Sequence, residues 1–508
     1  MFPPQVFPYG TAMTKKPSFL LIAAAAFVMT GCPGDDGGTS SGGSLASSGN
    51  VVYLADQNTD GVFELFLTSS GVKLNGPLAS GASGVVSFAL TPDKSAVVYI
   101  ADEKTVGVFE LFQVNIATPG VSVKLNGTLL IPQADVESFV ITPDGTSVVY
   151  SADPQFDQVF EVFRVLFATP QASTRLNPPL ALGQTVTKFS VTPDSTRAVY
   201  VANQDPLNLS VDELYQVAFL NPQNPTKLNV ALPAGRNVTD FSITPNGGSV
   251  VYLADKNFLN VFEIFLSPMT GPGSVNSLNP PLSTPKTVTA FAATPDSTAV
   301  IYRADETTPG TFELYRVAFG SPQTSVKLNG TLTPGGNVST FSIAPNGSSV
   351  VYSADQIIFG VVELFRVALS QPTPGPAQKI NPNYTAPQSV SAFAIAPDSG
   401  AAVYLANQAP TNVLQLYRVP FSCLQANPPS SCPQAIPPPT SLPPLNGPLA
   451  GNVSSFAVSP DSTLVFYLAD QTTFGVTELY AVNVGSPGSS SKLNGQLVTG
   501  GNVTAFTF

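Results

Sequence analysis

The chain has 508 residues, only 10% of them charged, and a formal net charge of −11. This length exceeds that of an ordinary single domain, so an architecture that grows by repetition is expected. The acidic balance argues against binding of nucleic acid or anionic lipid by charge attraction. The absence of histidine removes the commonest general base and metal ligand. A hydrophobic content of 43% argues against disorder of the whole chain.

The first 31 residues have the pattern of a signal peptide, whose true start we place at Met13. Lys15 and Lys16 precede an apolar run, residues 19–29, that is too short to cross a bilayer comfortably. Small residues then lead to Cys32. This arrangement resembles a bacterial lipoprotein signal, in which Cys32 is acylated and becomes the first mature residue. An ordinary secretory signal with an incidental cysteine is the alternative.

Residues 32–50 are rich in Gly and Ser and predict a flexible tether between Cys32 and the rest of the chain. We therefore expect a protein of the bacterial cell envelope, periplasmic or surface-exposed, that is attached to the membrane by its lipid anchor only.

The other two cysteines, Cys423 and Cys432, share one Pro-rich insertion. Export predicts a disulfide between them, which leaves no free thiol for catalysis. Because this insertion, up to Pro444, breaks the regularity of the chain, it is also a candidate contact region.

From Val51 onward the chain repeats one unit with a period near 50 residues. The phrase Val-Val-Tyr-x-Ala-Asp and its variants recur at Tyr53, Tyr99, Tyr150, Tyr200, Tyr252, Tyr302, Tyr352, Tyr404 and Tyr467. A repeat of this length without helical periodicity favours a propeller or a β-solenoid.

Each unit contains four strand-like segments, the first of which ends in a Thr-Pro-Asp turn. The first unit lacks its leading strand, and residues 502–508 repeat that strand at the end of the chain. Moving the last strand into the first sheet closes a ring and removes exposed strand edges. The sequence thus predicts an all-β fold, residues 51–508: a single β-propeller of about nine four-stranded blades, closed by the C-terminal strand.

The phrases Thr/Ala-Pro-Asp, Val-Val-Tyr-x-Ala-Asp, Glu-Leu-Phe/Tyr-x-Val and Lys-Leu-Asn resemble the TolB-like propeller repeat over residues 51–508. The Lys-Leu-Asn ending and the nine copies depart from that family. The resemblance implies a propeller fold; family members include periplasmic interaction proteins and domains attached to peptidases.

Most acidic residues recur at the same positions in successive units, as do the Asp of Ala-Asp and the Glu of the third strand. A basic residue follows that Glu in seven units, commonly 14 residues later, which predicts a cross-strand ion pair. The unit of Tyr404 loses both partners, having Gln415 and Pro444. Recurring charges of this kind are expected to support the fold.

Asp56, Asn58, Asp60 and Glu64 have the spacing of a calcium loop, with a glycine at its sixth position. Asp56 and Glu64, however, are also repeat positions. The loop therefore has two interpretations, a Ca²⁺ site or a variant of the repeat, and Ca²⁺ is the only cofactor that the sequence suggests.

Three consecutive units carry a charge in the first strand: Glu137, Lys188 and Asp240. Near a central channel these side chains predict a polar ligand-binding patch. Solvated strand ends are the alternative interpretation.

No nucleophile elbow, phosphate loop or Cys/His metal cluster is present in the sequence. We therefore expect a monomeric, non-catalytic scaffold, not an enzyme, that binds an envelope protein or a small ligand and no nucleic acid. The alternative is an envelope hydrolase or lyase that acts on a carbohydrate or lactone with carboxylates at the channel mouth.

Overall fold

The computed structural model describes residues 51–369, 374–408, 413–424 and 442–508. These residues form 33 strands and one short 3₁₀ helix, Phe421–Leu424, and contain no α-helix. The strands build nine antiparallel sheets arranged in a ring. The predicted fold class is confirmed: the protein is an all-β, nine-bladed propeller.

Blades 2 to 9 take their strands in chain order from the centre of the ring outward, whereas blade 1 places the last strand of the chain before its first two. The first strands are β33 (Val503–Thr507) in blade 1, then β3 (Val85–Leu90), β7 (Val136–Ile141), β11 (Val186–Val191), β15 (Val238–Ile243), β18 (Val288–Ala293), β22 (Val338–Ile343), β26 (Val390–Ile395) and β29 (Val453–Val458) in blades 2 to 9. The second strands are β1 (Val52–Ala55), β4 (Ala96–Ala101), β8 (Ser147–Ala152), β12 (Arg197–Ala202), β16 (Ser249–Phe258), β19 (Ala299–Ala304), β23 (Ser349–Ala354), β27 (Ala401–Ala406) and β30 (Leu464–Ala469).

The third strands carry the recurring Glu, which is replaced by Gln415 in blade 8. They are β2 (Glu64–Leu67), β5 (Glu110–Asn115), β9 (Glu161–Leu166), β13 (Glu213–Ala218), β17 (Val261–Pro268), β20 (Glu313–Ala318), β24 (Glu363–Ala368), β28 (Gln415–Pro420) and β31 (Glu478–Asn483). The short fourth strands are β6 (Ser122–Lys124), β10 (Thr174–Arg175), β14 (Thr226–Lys227), β21 (Val326–Lys327), β25 (Gln378–Lys379) and β32 (Ser490–Lys492).

Six sheets have four strands, and three have three strands among the described residues. In blade 1 the fourth strand is reduced to one bridge, between Phe66 and Lys73. In blade 5 the backbone of Gly273 lies close to the carbonyl of Leu266, and the preceding proline has no N–H to donate to a neighbouring strand. In blade 8 the segment before Leu442 lies outside the described residues.

The second strands explain why the blades pack into a ring. Most are buried along their whole length, because both of their faces lie against neighbouring blades, and this accounts for the continuous apolar run Val-Val-Tyr. In every blade the tyrosine of this run stacks on an aromatic ring of the third strand, with ring centroids 5.3–5.6 Å apart. Each buried cluster combines side chains of two adjacent blades, as Leu65 and Val97 do between blades 1 and 2.

The last strand closes the ring without a covalent connection. Strand β33 pairs antiparallel with β1, with Phe506 opposite Tyr53 and Ala505 opposite Leu54. Phe508 packs on Phe466 of blade 9 with ring centroids 4.8 Å apart. Blade 1 is therefore built from both ends of the described chain, as the sequence predicts.

The ring has two sides. The turns between first and second strands and between third and fourth strands lie on one side, the turn side. The loops between second and third strands, and those that lead to the next blade, lie on the other, the loop side. The described chain begins at Val51 and ends at Phe508, both on the turn side.

The closure predicts that Val503 supports the ring as strongly as its counterpart in an uninterrupted blade. Val503 and Val338 occupy the same position in blades 1 and 7, and both are buried. An aspartate at either position buries an unpaired charge, so V503D and V338D should each lower the free energy of unfolding by about 3–5 kcal/mol. Denaturant titration of the two variants measures this, and a stable V503D beside a destabilised V338D would show that the ring is open.

Candidate functional site

The asparagine of Lys-Leu-Asn completes each blade. In all nine blades its Oδ1 accepts the backbone N–H of the second residue of the Glu-Leu-Phe segment or its equivalent at 2.7–2.8 Å, as Asn75 does from Leu65. Its amide nitrogen donates to the following carbonyl in each case. Because the fourth strand is so short, this side chain satisfies a backbone group that a longer strand would pair. Sequence reasoning noticed the residue only as a departure from a family pattern.

The aspartate of Ala-Asp fixes the loop side. In blade 2, Asp102 Oδ1 accepts the N–H of Gly84 at 2.8 Å, and Oδ2 accepts the N–H of Gly107 at 3.3 Å. Where the position is Asn203 or Asn407, Oδ1 still accepts the N–H of Thr185 or Ser389. The side chain thus joins the second-to-third loop to the start of the first strand in its blade, and its recurrence is structural.

The seven predicted ion pairs between the third and fourth strands all form. The pairs are Glu64 with Lys73, Glu110 with Lys124, Glu161 with Arg175, Glu213 with Lys227, Glu313 with Lys327, Glu363 with Lys379, and Glu478 with Lys492. Glu263, which has Ser277 in place of a cation, accepts hydrogen bonds from Asn257 and from the N–H of Leu282 instead. These carboxylates are engaged in the fold, so they are not free to act as a catalytic group.

A β-bulge in every first strand creates a ring of side chains at the loop-side end of the central channel. Each pairing between first and second strands skips one residue, the second of the first strand. Bulges re-aim the side chain of the residue that they leave unpaired. We call these nine exposed residues the mouth ring: Val86, Glu137, Thr187, Thr239, Thr289, Ser339, Ser391, Ser454 and Thr504. Seven of the nine are Ser or Thr.

Glu137 is the one charged member of the mouth ring. Its carboxylate accepts a hydrogen bond from Ser151 Oγ at 3.2 Å, and Ser151 lies 3.0 Å from the hydroxyl of Ser138. Although the side chain is exposed at its outer edge, partial burial of the carboxyl raises the pKa of Glu137 above its ordinary value, and the nearby charge of Asp153 adds to this effect.

Lys188 and Asp240 follow the mouth-ring residues of blades 4 and 5. The structure brings these two side chains together as an ion pair between adjacent first strands, each side chain a little under half exposed. Asp240 Oδ1 also accepts the N–H of Phe241, and Lys188 Nζ lies 5.7 Å from the centre of the Phe241 ring. The pair therefore lies at the channel wall, with Lys188 in the blade next to that of Glu137.

A fourth charged residue at the mouth was missed by sequence reasoning. Arg303, on the second strand of blade 6, donates to the hydroxyl of Thr289 in the mouth ring at 2.8 Å and to the carbonyl of Val338 in blade 7. Its guanidinium stacks on Phe312, 4.2 Å from the ring centre. Burial lowers the pKa of Arg303, opposed by the charge of Asp305. The signal in the sequence was an arginine where most other blades have an aliphatic residue.

The residues of the predicted calcium loop are bonded to the fold. Asp56 accepts the N–H of Gly61 at 3.0 Å and that of Asn502, and Glu64 pairs with Lys73 and accepts from Asn58 at 3.0 Å. Asp60 is exposed beside Gly500. No cluster of three or more His, Cys, Asp or Glu side chains suited to a metal occurs in the described part of the chain. Calcium at this loop stays a prediction.

The predicted signal peptide, Cys32, the tether and Cys432 lie outside the described residues, and so does most of the Pro-rich insertion. Cys423 belongs to the 3₁₀ helix, but its side chain is not described. No helix in the described ranges is long and apolar enough to cross a membrane.

No protein-family model matches this chain, and no curated protein matches it. Among solved structures it is similar to a eukaryotic initiation factor, with a TM-score of 0.56 and 10% identity over 91% of this chain and 98% of that one. It is also similar to dipeptidyl peptidase 4 of Porphyromonas gingivalis, with a TM-score of 0.51 and 10% identity over 72% of this chain and 56% of that one. A putative TolB of Agrobacterium tumefaciens matches 50% of this chain and 83% of its own at 14% identity, but its TM-score is 0.30. Identities this low show the shared propeller fold alone.

The expectation that this chain is not an enzyme is corrected by the second comparison. A propeller similar to this one forms part of a dipeptidyl peptidase, so the fold is found within enzymes. The expectation of a non-enzyme was based on the absence of histidine and of known catalytic motifs. That absence excludes only the reactions that need those groups. Carboxylates and hydroxyls are present at the mouth, as Glu137 and Ser151 show.

The ion pairs predict an acid-sensitive contribution to stability. Burial opposes ionisation of Glu313, but hydrogen bonds from Lys327, Thr307 and Tyr315 outweigh it and hold the pKa below the ordinary value of 4.5. A carboxyl whose pKa is lowered on folding stabilises the fold above its unfolded pKa and loses this effect as the pH falls through the folded pKa. E313Q should therefore cost about 1–2 kcal/mol at pH 7 and much less below pH 4.

Glu263→Gln is the matched control, because Glu263 has no cation to lose. A glutamine Oε1 still accepts the N–H of Leu282, and Asn257 can turn its amide oxygen to accept from the glutamine Nε2. Chemical denaturation between pH 3 and pH 7 compares the two variants. Equal losses for E313Q and E263Q at pH 7, or a loss for E313Q that does not change with pH, would disprove a role for the ion pair.

Proposed function

We propose that this chain is a lipid-anchored propeller of a bacterial cell envelope that binds a partner protein at its loop-side mouth. The observation that carries the proposal is the grouping of Glu137, Lys188 and Asp240 in three consecutive blades, in a ring whose other first strands carry no charge. Structural charges recur in this protein, whereas these three occur once each.

The mouth offers the groups that recognise a polar polypeptide segment. The hydroxyls of the mouth ring donate and accept hydrogen bonds, as those of a peptide-binding surface do. Lys188 and Asp240 present both signs of charge at a fixed position, and Arg303 supplies a cation held by Phe312. Because the first strands form a rigid wall, little ordering entropy is lost when a partner contacts them.

The anchor rests on the sequence. Lys15, Lys16, the apolar run and Cys32 support export and acylation. The described structure begins at Val51 on the turn side, and the mouth lies on the loop side. The Pro-rich insertion starts from the end of β28 on the turn side and is a second proposed contact region.

A triple variant tests the mouth. E137T, K188A and D240A replace each charge by a residue that other blades carry at the same position, such as Thr187 and Ala290. The captured envelope partner, once purified, should bind this variant at least about tenfold more weakly, a loss of about 1.4 kcal/mol. Calorimetric titration measures the affinity, and thermal unfolding checks that the ring is intact.

The control variant is T340A with S455A, which changes the strand position of Lys188 and Asp240 in blades 7 and 9, outside the mouth ring, and should keep the affinity. Binding that is equal in the charge variant and the unaltered chain, or an envelope extract that yields no retained protein, would refute the proposal.

Hydrolysis at the same mouth is a second candidate function, favoured by the state of Glu137. A carboxyl of raised pKa at an exposed bulge has the character of a general acid, and the carboxylate of Asp240 is held by Lys188. The substrates to test are carbohydrates, lactones and, given the peptidase among the similar structures, peptides.

If this candidate is right, turnover falls as the pH rises through the raised pKa of Glu137, because the proton is then lost. E137Q should abolish turnover, and T340A should not. A substrate panel with no turnover at any pH, or turnover that survives E137Q, removes the candidate.

A further inference from the structure

The loop side carries a second recurring feature that none of the preceding roles uses. In six blades the connection between the second and third strands carries a large apolar side chain, which in blade 5 is the last residue of the second strand. We call these six residues the crown: Val106, Phe156, Leu207, Phe258, Phe359 and Phe474. Each lies three or four residues after the aspartate or asparagine that fixes its loop, so all project from equivalent places around the ring.

The crown residues are strongly exposed, from 41% to 95%. Two of the tips are also held in place: Phe359 lies over Gly335 and Val106 over Gly81, two glycines of positive φ in adjoining loops. Apolar side chains that are both exposed and positioned signal an interaction surface.

The exposed area is that of an interface. The exposed fractions of the six side chains, multiplied by full areas of about 150–200 Å² each, sum to about 700 Å². Leu130 and Leu182, both exposed in neighbouring loops of the same side, bring this to about 900 Å², slightly more than the roughly 800 Å² that each partner contributes to a standard interface.

The distribution of charge selects the kind of partner. The turn side exposes six carboxylates, Asp93, Asp144, Asp194, Asp296, Asp398 and Asp461. The exposed charges of the second-to-third loops are only Asp60, Lys104 and Asp157 among the described residues. Two acidic chains of this kind repel one another at their turn sides, whereas the loop sides meet with little electrostatic opposition.

We propose that the crown is the contact between two copies of this chain, which stack loop side to loop side about a twofold axis. This departs from the sequence-based expectation of a monomer, because the crown is visible only once the loops are placed on one side of the ring. An isologous contact needs a self-complementary surface, and a circle of apolar tips matches a second circle of the same radius.

Such a dimer leaves the mouths accessible. Blade 1 has Asp60 at its tip, and blade 6 has Thr308 and Pro309, so among the loops that the structure describes in full the crown is interrupted at two places. These gaps leave openings between the two rings, through which a partner segment reaches the mouth ring.

Sedimentation equilibrium of the chain from Gly42, the compact unit that holds all nine blades, tests the proposal. The unaltered chain should form dimers at micromolar concentration. L207D with F474D should weaken association at least about 100-fold, because each aspartate must be desolvated in the contact. At a concentration low enough that both chains are monomers, the thermal unfolding midpoint of the variant should not change, since both side chains point to solvent.

The control is V121D with L220D, which changes two equally exposed apolar residues in turns of the opposite side. This variant should remain dimeric. A monomeric unaltered chain at about 100 µM, a dimer that persists in L207D/F474D, or a dimer lost equally in the control would each overturn the proposal. A monomer whose crown binds phosphatidylcholine vesicles would assign the surface to lipid and also overturn it.

Discussion

The structure depends on closure of the ring. A blade of this protein cannot bury its apolar residues alone, because its second strand is apolar on both faces and needs a neighbour on each. An open arc of nine blades would expose two such faces and two sheet edges at its ends. The pairing of β33 with β1 removes both ends at once, and blade 1 packs against blade 9 through Phe466 and Phe508. Once closure is fixed, the position of every turn and loop on the two sides is fixed with it.

The recurring polar residues supply what short strands leave unsatisfied. The Asn of Lys-Leu-Asn takes up a backbone N–H that the fourth strand does not reach, and the Asp of Ala-Asp holds two N–H groups on the loop side. Neighbouring first-to-second turns are also joined, since the N–H of Asp144 donates to Ser195 Oγ at 3.0 Å. Buried polar groups that are all bonded rigidify a structure. Four charges that do not recur, at Glu137, Lys188, Asp240 and Arg303, then lie together at one end of the channel.

The sequence sufficed for the features that repetition determines. Nine tyrosine phrases predicted nine blades, the isolated strand at residues 502–508 predicted the closure, and the joint loss at Gln415 and Pro444 pointed to the ion pairs. It did not reveal the mouth ring, because a bulge such as that at Thr504 arises from strand pairing and not from residue type. Nor did it show that blade 5 lacks its fourth strand, which depends on the close approach of Gly273 to Leu266. Arg303 was missed because a single arginine in a strand looks like ordinary sequence variation. The crown was missed because only the three-dimensional structure shows that its residues lie on the same side of the ring.

Single-particle imaging of the purified chain tests the central claim most directly. Viewed along the channel axis, the account predicts a continuous ring of nine radial sheets, with no gap between the sheet that contains Tyr53 and the sheet that contains Tyr467. An arc with a gap at that place, a spiral, or two separate smaller rings would contradict it.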